Sequence, residues 1–267
     1  MPSKTSPLVN VKALLFDIFG TVVDWRSSVT DEISLRTFRK LSSQGISPAL
    51  KTRLEGLTQQ DWDRFIQEWR DSYVAFTRSF NPDTDAWKSV DQHHRDSLVE
   101  LLGKWDLDGL FTETEIESLS LVWHRLTPWP DSVDGIAQMG RRYTTGTLSN
   151  GNTSLIRDLA DFGGLSFDNI FCAETFHVYK PDPATYLGAV RALGLQPEEV
   201  ALVATHLGDL HGARGCGLRT IYVERDREEA WGKEEARYGE AKTWVDLWVT
   251  EEEKGLLTIA EKLRELE

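Results

Sequence analysis

The stretch Val11–Thr21, VKALLFDIFGT, combines an apolar run with an acidic residue and a glycine. Its apolar part, Val11–Phe16, predicts a buried β-strand that leads directly into Asp17. Gly20 and the threonine after it mark the turn that follows. Because the loop after a strand is the usual place for chemistry in an α/β sheet, Asp17 is the first candidate functional residue.

Beyond this stretch, the chain from Trp25 to Leu126 shows helix signals and no convincing strand. Helices are predicted at about Ser27–Gly45, Thr58–Phe80 and Asp85–Trp105, and from Thr112 to just before Pro128. Thr112 and Glu115 have the spacing of a capping box. This part of the chain therefore predicts a separate helical unit.

From Pro130 onward, strand and helix signals alternate. The predicted strands are Tyr143–Leu148, Asn169–Ala173, Val200–Ala204 and Thr220–Val223, and the predicted helices are Ser132–Arg142, Thr153–Phe162, Pro183–Leu193, Asp209–Cys216 and Glu251–Glu267. Such alternation is typical of a parallel sheet covered on both faces. We predict an α/β, Rossmann-like core domain of residues 1–24 and 127–267, with the helical domain of residues 25–126 inserted after the first strand.

Composition excludes several classes of function. The 267 residues include 30 Lys and Arg against 43 Asp and Glu, a net charge of -13, which argues against nucleic-acid binding. No stretch approaches the ~18 apolar residues of a membrane span, and the first residues lack the apolar core of a secretory signal. Cys172 and Cys216 are too few for a disulfide framework. We expect a cytoplasmic, reduced protein whose partner is a small molecule or another protein, with no membrane and no nucleic acid.

Several polar residues follow predicted strands, where parallel strands end at one edge of the sheet. They are Asp17, Ser149, Asn150, Lys180 and the segment Thr205–Asp209. Each has an ordinary structural explanation: a turn cap for Asp17, a solvated loop position for Lys180, a helix N-cap for Asp209 and turn chemistry for Ser149 and Asn150. Their occurrence together at corresponding strand ends favours a functional site.

Three motifs carry a resemblance to a known family. They are Phe16–Asp24 (FDIFGTVVD), Leu148–Gly151 (LSNG) and Tyr179–Pro183 (YKPDP). In this order, and with a helical cap inserted after the first, they resemble the haloacid dehalogenase superfamily. Within it the chain looks most like the type II L-2-haloacid dehalogenases.

The comparison with the phosphatases of that superfamily is chemical. Those enzymes carry a second aspartate two residues after the nucleophile, where this chain has Phe19, which cannot transfer a proton. At their fourth motif they hold Mg²⁺ with carboxylates, whereas this chain has Thr205 at the first acidic position and retains Asp209. Since Mg²⁺ needs several oxygen ligands, the resemblance implies a site without metal or other cofactor.

The inserted helical segment supplies a further point of resemblance. Glu68–Tyr73 (EWRDSY) is similar to the segment of the type II dehalogenases in which an arginine follows a tryptophan and extends into the site. Arg70 borders an apolar stripe of the predicted helix, formed by Trp62, Ile66, Trp69, Tyr73, Phe76 and Phe80. The alternative is that Arg70 only extends along this stripe toward solvent.

The resemblance implies a covalent mechanism on a small anionic substrate, an (S)-2-haloacid. Asp17 would displace the halide and form an ester, which water then hydrolyses to the 2-hydroxy acid. Lys180 would keep Asp17 ionised, and Asp209 would balance Lys180 and position or deprotonate the water. Thr21 would donate a hydrogen bond to Asp17 or to the substrate.

Further positions are assigned to binding of substrate and halide. Ser149 would donate a hydrogen bond as Thr21 does, Arg70 and Asn150 would stabilise the leaving halide, and Phe19 would line the substrate site. Tyr186 matches a family site position or is a packed helix aromatic, and both interpretations stay open. Related enzymes are often dimers, so a homodimer is an expectation from the resemblance.

The fourth motif departs from the type II pattern. Those enzymes usually show Ser-Ser-Asn where this chain has Ala204-Thr205-His206, and a tryptophan where it has Gly208. His206 is either a water-activating base or a partner of Asp209, with the second slightly favoured. The departures keep three alternatives open: a hydrolase of the same architecture acting on a larger electrophile, a non-catalytic binding protein, and, last, a Mg²⁺-dependent phosphatase.

Overall fold

The computed structural model describes residues 6–43 and 45–266. Residues 1–5 of the predicted core domain, residue 44 of the first predicted helix, and Glu267 at the end of the last one lie outside the described residues. By its internal contacts the chain divides into two units. We call Met1–Asp24 together with Thr127–Glu267 the α/β unit, and Trp25–Leu126 the helical unit.

The α/β unit is built on a parallel sheet. In chain order the strands are β1 (Ala13–Phe16), β2 (Val23–Asp24), β3 (Thr127–Pro128), β4 (Thr144–Ser149), β5 (Asn169–Cys172), β6 (Val200–Ala204), β7 (Arg219–Val223) and β8 (Leu247–Val249). Six of the described strands form the main sheet in the order β5-β4-β1-β6-β7-β8, and each neighbouring pair is parallel. This confirms the predicted α/β class.

Both units contain helices. In the helical unit they are α1 (Trp25–Leu41), α2 (Pro48–Glu55), α3 (Gln59–Ser79), α4 (Val90–Lys104) and α5 (Glu113–Ser120). In the α/β unit they are α6 (Ser132–Met139), α7 (Thr153–Gly163), α8 (Ala173–Phe176), α9 (Pro183–Leu193), α10 (Leu207–Gly215), α11 (Ala236–Trp244) and α12 (Gly255–Arg264). Short 3₁₀ helices cover Leu121–His124 and Pro197–Glu199.

The strand predicted from the opening stretch lies in the middle of the sheet. All four residues of β1 are fully buried, which explains why the strand is apolar throughout instead of alternating. It is shorter than the predicted Val11–Phe16, since Val11 and Lys12 precede the first paired residue, Ala13. Val200–Ala204 and Pro183–Leu193 have the predicted bounds, and most other predicted elements differ from the observed ones by a few residues.

The chain leaves the α/β unit after β2 and returns to it at β3, and these two strands form an antiparallel pair. Val23 of β2 pairs with Pro128 of β3, so the two crossing points of the chain are neighbours in the α/β unit. Every described element between Trp25 and Leu126 is helical. The predicted capping box at Thr112 and Glu115 is confirmed, and both of its hydrogen bonds are formed.

The sequence analysis missed some short or polar elements. The helix α2 begins after the N-cap Ser47, in the region between the first and second predicted helices, for which no element was predicted. The last strand, Leu247–Val249, has three residues, too few for an alternating pattern. The helix before it, Ala236–Trp244, buries Tyr238 and Ala241, which are too few for a clear helical pattern. Within the described residues, none of the helices combines the length and apolar character needed to cross a membrane.

Candidate active site

The order of the strands creates a place for a site. Along the chain after β1, the strands β4 and β5 lie on one side of it, and β6, β7 and β8 lie on the other. Phe16 at the end of β1 pairs with Thr147 of β4 and with Val203 of β6. A crevice outside the carboxyl ends of the strands is expected where the order reverses in this way. Asp17 directly follows β1 and therefore lies at the reversal.

Donors from three different segments bind the carboxylate of Asp17, which is buried. Its Oδ1 accepts a hydrogen bond from Nζ of Lys180 at 2.9 Å. Its Oδ2 accepts one from Oγ1 of Thr21 at 2.9 Å and lies 3.2 Å from Nδ1 of His206. Thr21 in turn accepts a hydrogen bond from the backbone N of Thr205 at 3.0 Å, which ties the first loop to the segment after β6.

Lys180 is shared by two carboxylates. Besides Asp17, its ammonium group binds Oδ2 of Asp209, and the side chain is buried. Asp209 lies in the first turn of α10, and its Oδ1 accepts a hydrogen bond from the hydroxyl of Tyr186 at 2.7 Å. The ammonium group therefore lies between the two acidic side chains, and the phenol of Tyr186 fixes the outer one.

Electrostatics set the protonation states of this group. Burial by itself would raise the pKa of Asp17, but the charge of Lys180 and the hydrogen bond from His206 outweigh it and hold the pKa well below its usual range. Burial would likewise lower the pKa of Lys180, but Asp17 and Asp209 together raise it. Burial raises the pKa of Asp209. Asp17 is thus an ionised carboxylate near neutral pH, while Asp209 has the more basic carboxylate of the pair.

For Tyr186 the sequence left two interpretations open, a family site position and a packed helix aromatic. Its ring is fully buried among the core side chains beside the sheet, and its hydroxyl is bound to Asp209. Burial raises the pKa of Tyr186 well above its ordinary value, so the hydroxyl remains a hydrogen-bond donor. The residue packs the helix α9 and also contacts the candidate site.

His206 differs from the favoured prediction. Its described polar contacts are not with Asp209: Nδ1 lies on Oδ2 of Asp17, and Nε2 lies 3.6 Å from Oε2 of Glu228. The reason is the direction of the chain after β6, which places residue 206 before α10 begins and next to the end of β1. Desolvation would lower the pKa of His206, but Asp17 and Glu228 raise it to about 9.

Ser149 and Asn150 follow β4 and have different partners. The carboxamide of Asn150 binds the main chain of Lys180, with Oδ1 accepting from its N at 2.7 Å and Nδ2 donating to its O at 3.3 Å. Ser149 is buried, and its Oγ accepts a hydrogen bond from the N of Gly151 at 3.4 Å. Asn150 therefore holds the segment that carries the site lysine.

Phe19 is buried and follows the candidate nucleophile, Asp17, by two residues. The position thus carries an apolar ring, and no side chain there can exchange a proton. Among the described residues, no group of three or more His, Cys, Asp and Glu side chains is arranged to hold a metal ion.

Arg70 belongs to the helical unit. It lies on α3, whose buried residues are Trp62, Phe65, Ile66, Trp69, Arg70, Tyr73 and Thr77. The guanidinium carbon is 4.6 Å from the centre of the Tyr73 ring and 5.4 Å from that of Trp25. The buried face therefore includes Thr77 and Arg70 itself. Phe76 and Phe80, which were predicted to belong to it, do not. Cation–π contacts of this kind stabilise a buried guanidinium.

The segment after β7 contributes residues that the sequence analysis missed. Glu228 lies beside His206, and Glu229 accepts hydrogen bonds from the N of Leu207 at 2.7 Å and from the N of Trp231 at 2.6 Å. Since Thr220–Val223 was predicted as a strand, the segment at its carboxyl end belonged with the other candidate segments. An acidic segment of this kind is typical of a solvated loop, so its sequence did not single out Glu228 and Glu229.

Known proteins resemble this chain in sequence and in fold. Residues 11–217 match the family of haloacid dehalogenase-like hydrolases. The chain belongs to this family. Among solved structures, a defluorinating L-2-haloacid dehalogenase is 33% identical with a TM-score of 0.77, covering 97% of this chain and 98% of its own. Another L-2-haloacid dehalogenase is 34% identical with a TM-score of 0.75, covering 95% of this chain and 99% of its own.

A curated relative of this hydrolase is the (S)-2-haloacid dehalogenase of Xanthobacter autotrophicus, which is 26% identical over 229 residues. The match covers 84% of this chain and 79% of that protein. The predicted membership of the haloacid dehalogenase superfamily is confirmed, and so are the Rossmann-like fold class and the assignment to the hydrolases. The roles of the individual site residues stay predictions.

Proposed function

We propose that this hydrolase is a 2-haloacid dehalogenase that uses Asp17 as its nucleophile and needs no metal. The observation that carries the proposal is the environment of Asp17, an ionised carboxylate bound by Lys180 with an apolar Phe19 where a proton-transferring aspartate would stand. The names of the relatives, L-2- and (S)-2-haloacid dehalogenases, support the choice of substrate.

In the first step, an oxygen of Asp17 attacks the substrate carbon from the side opposite the halogen. A bond forms between this oxygen and the carbon, and the carbon–halogen bond breaks as the halide leaves with its electron pair. A carboxylate is a useful nucleophile here because it is ionised near neutral pH, where Lys180 holds its pKa low. The product of this step is an ester on Asp17.

In the second step, water attacks the carbonyl carbon of that ester. Asp209 is the proposed base, because burial raises its pKa and its carboxylate is fixed by Lys180 and Tyr186. Cleavage of the ester releases the 2-hydroxy acid with an oxygen that came from Asp17. The new oxygen of Asp17 comes from water.

Binding of an anionic substrate needs local positive charge in a chain whose net charge is -13. Lys180 is already balanced by Asp17 and Asp209. We therefore propose Arg70 as the residue for the carboxylate or the departing halide, with Ser149 as a neutral donor. The buried guanidinium of Arg70, stacked on aromatic rings, supports this assignment.

The test is halide release and isotope transfer. Purified protein in EDTA, given L-2-chloropropionate in water labelled with oxygen-18, should release chloride and place the label in Asp17 during a single turnover. Asp17→Asn should abolish chloride release, whereas Asp226→Asn, at a side chain with 61% exposure, should leave it unchanged. Absence of halide from every short 2-haloacid would contradict the proposal.

A second candidate substrate is a larger electrophile attacked by the same nucleophile, and the altered fourth motif motivates it. Gly208 stands where the type II dehalogenases usually have a tryptophan. However, the indole nitrogen of Trp231 lies 3.9 Å from the position that a Cβ on Gly208 would occupy. Trp231 thus fills part of the volume that a side chain there would take. A series of 2-haloacids of increasing chain length separates the two candidates, because kcat/KM should fall with length if the pocket is small.

A further inference from the structure

Both ring nitrogens of His206 face carboxylate oxygens. Nδ1 lies 3.2 Å from Oδ2 of Asp17, and Nε2 lies 3.6 Å from Oε2 of Glu228. A carboxylate oxygen that is ionised can only accept a hydrogen bond, so each nitrogen is favoured to carry a hydrogen. The ring between two acidic groups is therefore an imidazolium cation, and one of its N–H groups is directed at the candidate nucleophile.

Gly20 makes room for the second of these acidic groups. Its φ of +82° lies in the region that favours glycine, and a Cβ there would lie 2.1 Å from Oε2 of Glu228. The glycine of the opening motif thus allows the carboxylate of Glu228 to pack against the first loop. Without this space, Glu228 could not keep its present position beside His206.

The segment that carries Glu228 is held on both sides. Before it, Arg225 donates two hydrogen bonds of 2.8 Å to Asp131 and one of 3.2 Å to the O of Thr21. After it, Glu229 binds the first residue of α10, Leu207. The side chain of Glu228 is buried, with 5% exposure. Glu228 is therefore a fixed partner of the ring and not a mobile surface acid.

The two oxygens of Asp17 have different donors. Oδ2 receives Thr21 and His206, and Oδ1 receives Lys180. We propose that His206, held by Glu228, forms with Thr21 the site that stabilises the negative charge on Oδ2 when the Asp17 ester is hydrolysed. This inference rests on the proposed function, makes His206 a catalytic residue and makes Glu228 a positioning residue.

The chemistry follows from this assignment. Oδ1 attacks the substrate and becomes the ester oxygen, while Oδ2 remains the carbonyl oxygen. When water adds to the carbonyl carbon, one of its protons passes to Asp209, and the carbonyl electron pair moves to Oδ2. The bond from the carbonyl carbon to Oδ1 then breaks, and the departing alkoxide takes the proton from Asp209. The new carboxylic acid on Asp17 releases its own proton to solvent, which balances the departed halide.

Glu228 has a specific task in this sequence. As an ester, Asp17 carries no charge and no longer favours a protonated ring. Glu228 takes no part in the ester, so its carboxyl group stays beside the ring while the oxyanion forms. The titratable groups that act on the ring are Asp17 and Glu228, with Glu229 on the same segment and Lys180 across the carboxylate of Asp17.

A direction of pH dependence follows. The raised pKa of His206, about 9, means that the ring is charged below this value and loses its proton as the pH rises through it. Because the ester removes the contribution of Asp17, the ring of the intermediate loses its proton at a lower pH, and ester hydrolysis should already slow as the pH rises toward about 9. A water-activating base at the same position would show the opposite behaviour, with hydrolysis lost as the pH falls.

The first experiment needs no substrate. In protein with nitrogen-15-labelled histidine, the His206 signals are assigned with His206→Gln and followed against pH by NMR. We expect an imidazolium at about pH 8, and a titration lowered by about one to three pH units in Glu228→Gln. His211→Gln, at an exposed histidine of the helix that follows His206, is the control and should leave this titration unchanged. A neutral His206 at that pH, or no shift in Glu228→Gln, would overturn the inference.

The second experiment separates the two chemical steps by rapid quench with L-2-chloropropionate. In His206→Ala, chloride release in the first turnover should stay within about two-fold of wild type, while hydroxy acid forms about 10²- to 10³-fold more slowly and the Asp17 ester accumulates. His206→Gln should recover part of the rate and lose the decline at high pH. If His206→Ala does not fold, Glu228→Gln provides the same comparison.

The outcomes distinguish the inference from the proposed function. No chloride from wild type contradicts the proposed function itself. Chloride and hydroxy acid at wild-type rates in both His206→Ala and Glu228→Gln contradict the inference alone. A loss of chloride release and hydrolysis in equal proportion would also contradict it, because it would show that the ring acts before the ester exists.

Discussion

The carboxamide of Asn150 binds both polar groups of the Lys180 main chain, accepting from its N at 2.7 Å and donating to its O at 3.3 Å. One residue at the end of β4 thus sets the position of the lysine that the two site carboxylates share. This relationship differs from the halide contact that the resemblance implies for Asn150. It makes the residue a positioning group for Lys180.

Asn150→Ala is expected to reduce kcat about 10- to 100-fold, because a small displacement of a catalytic group is costly. The loss of two hydrogen bonds should lower the free energy of unfolding by about 1–3 kcal/mol. Asn150→Asp, which keeps the acceptor for the backbone N of Lys180, should fall between wild type and Asn150→Ala. Steady-state kinetics and urea unfolding measure both effects. Wild-type kcat in Asn150→Ala would show that Lys180 is positioned by other contacts.

Tyr186→Phe removes the phenol that donates to Asp209 at 2.7 Å while keeping the buried ring. Hydrogen bonds to charged groups contribute about 1.5–3 kcal/mol, so we expect a loss of stability in that range. Hydrolysis of the ester should slow more than halide release, because Asp209 is the proposed base of the second step. Tyr143→Phe is the control for removal of a hydroxyl elsewhere in the α/β unit. Equal slowing of both steps would contradict the assignment of Asp209 to hydrolysis.

Asp131→Asn breaks a partly buried ion pair in which Arg225 donates two hydrogen bonds to the carboxylate. The cost should be about 3–5 kcal/mol at neutral pH, reduced to the extent that water enters the site. Burial would raise the pKa of Asp131, but Arg225 lowers it below its ordinary value.

The pH dependence of this pair follows from that direction. A carboxylate whose pKa is lower in the folded state contributes its stability above the unfolded pKa of about 3.9 and loses it as the pH falls through the folded value. The difference in unfolding free energy between wild type and Asp131→Asn should therefore shrink in acid. Denaturant unfolding at neutral and acid pH measures it, and a difference that stays constant would contradict the role of the charge.

Gly135→Ala tests the close packing of α6 against α12. A Cβ on Gly135 would lie 2.7 Å from Cβ of Leu256 and 2.8 Å from its backbone carbon. Overpacking of this kind should cost about 1–3 kcal/mol of stability. Gly239→Ala in the interior of α11, where a Cβ would meet nothing within 4 Å, is the matched control. It should stabilise the protein by about 0.5–1 kcal/mol, so the two variants should shift the melting temperature in opposite directions.

Arg70→Ala tests whether binding of an anionic substrate depends on the helical unit. We expect KM for a 2-haloacid to rise at least about 10-fold and kcat to fall, because the substrate loses its proposed counter-charge. Arg70→Lys should restore little, since an ammonium group does not reproduce the planar guanidinium. Arg64→Ala, at an exposed arginine of the same helix, is the control. Unchanged kinetics in Arg70→Ala would contradict the proposed role.

Much of the fold was predictable because its signals are local. The buried strand before Asp17 is apolar throughout, and Val200–Ala204 is likewise a short apolar run, so both were identified from the sequence. The short strand Leu247–Val249 was not, because three residues carry too little pattern and its position in the sheet depends on pairing with β7. Candidate residues at strand ends were predictable for a related reason, since parallel strands end at one edge.

The partners of those residues were a different matter. The sequence by itself determined the α/β class and indicated the helical segment and the candidate set of Asp17, Lys180 and Asp209, because hydrophobic periodicity and motif order depend on neighbours along the chain. Only the tertiary structure decided that one ring nitrogen of His206 contacts Asp17 and that the other faces Glu228. The side chain of Glu228 occupies the space that a Cβ on Gly20 would take. These residues follow β1, β6 and β7, which are neighbours in the sheet although β1 lies far from the other two along the chain. Their contacts, and the raised pKa of His206, arise only when the sheet brings those ends together in a buried environment.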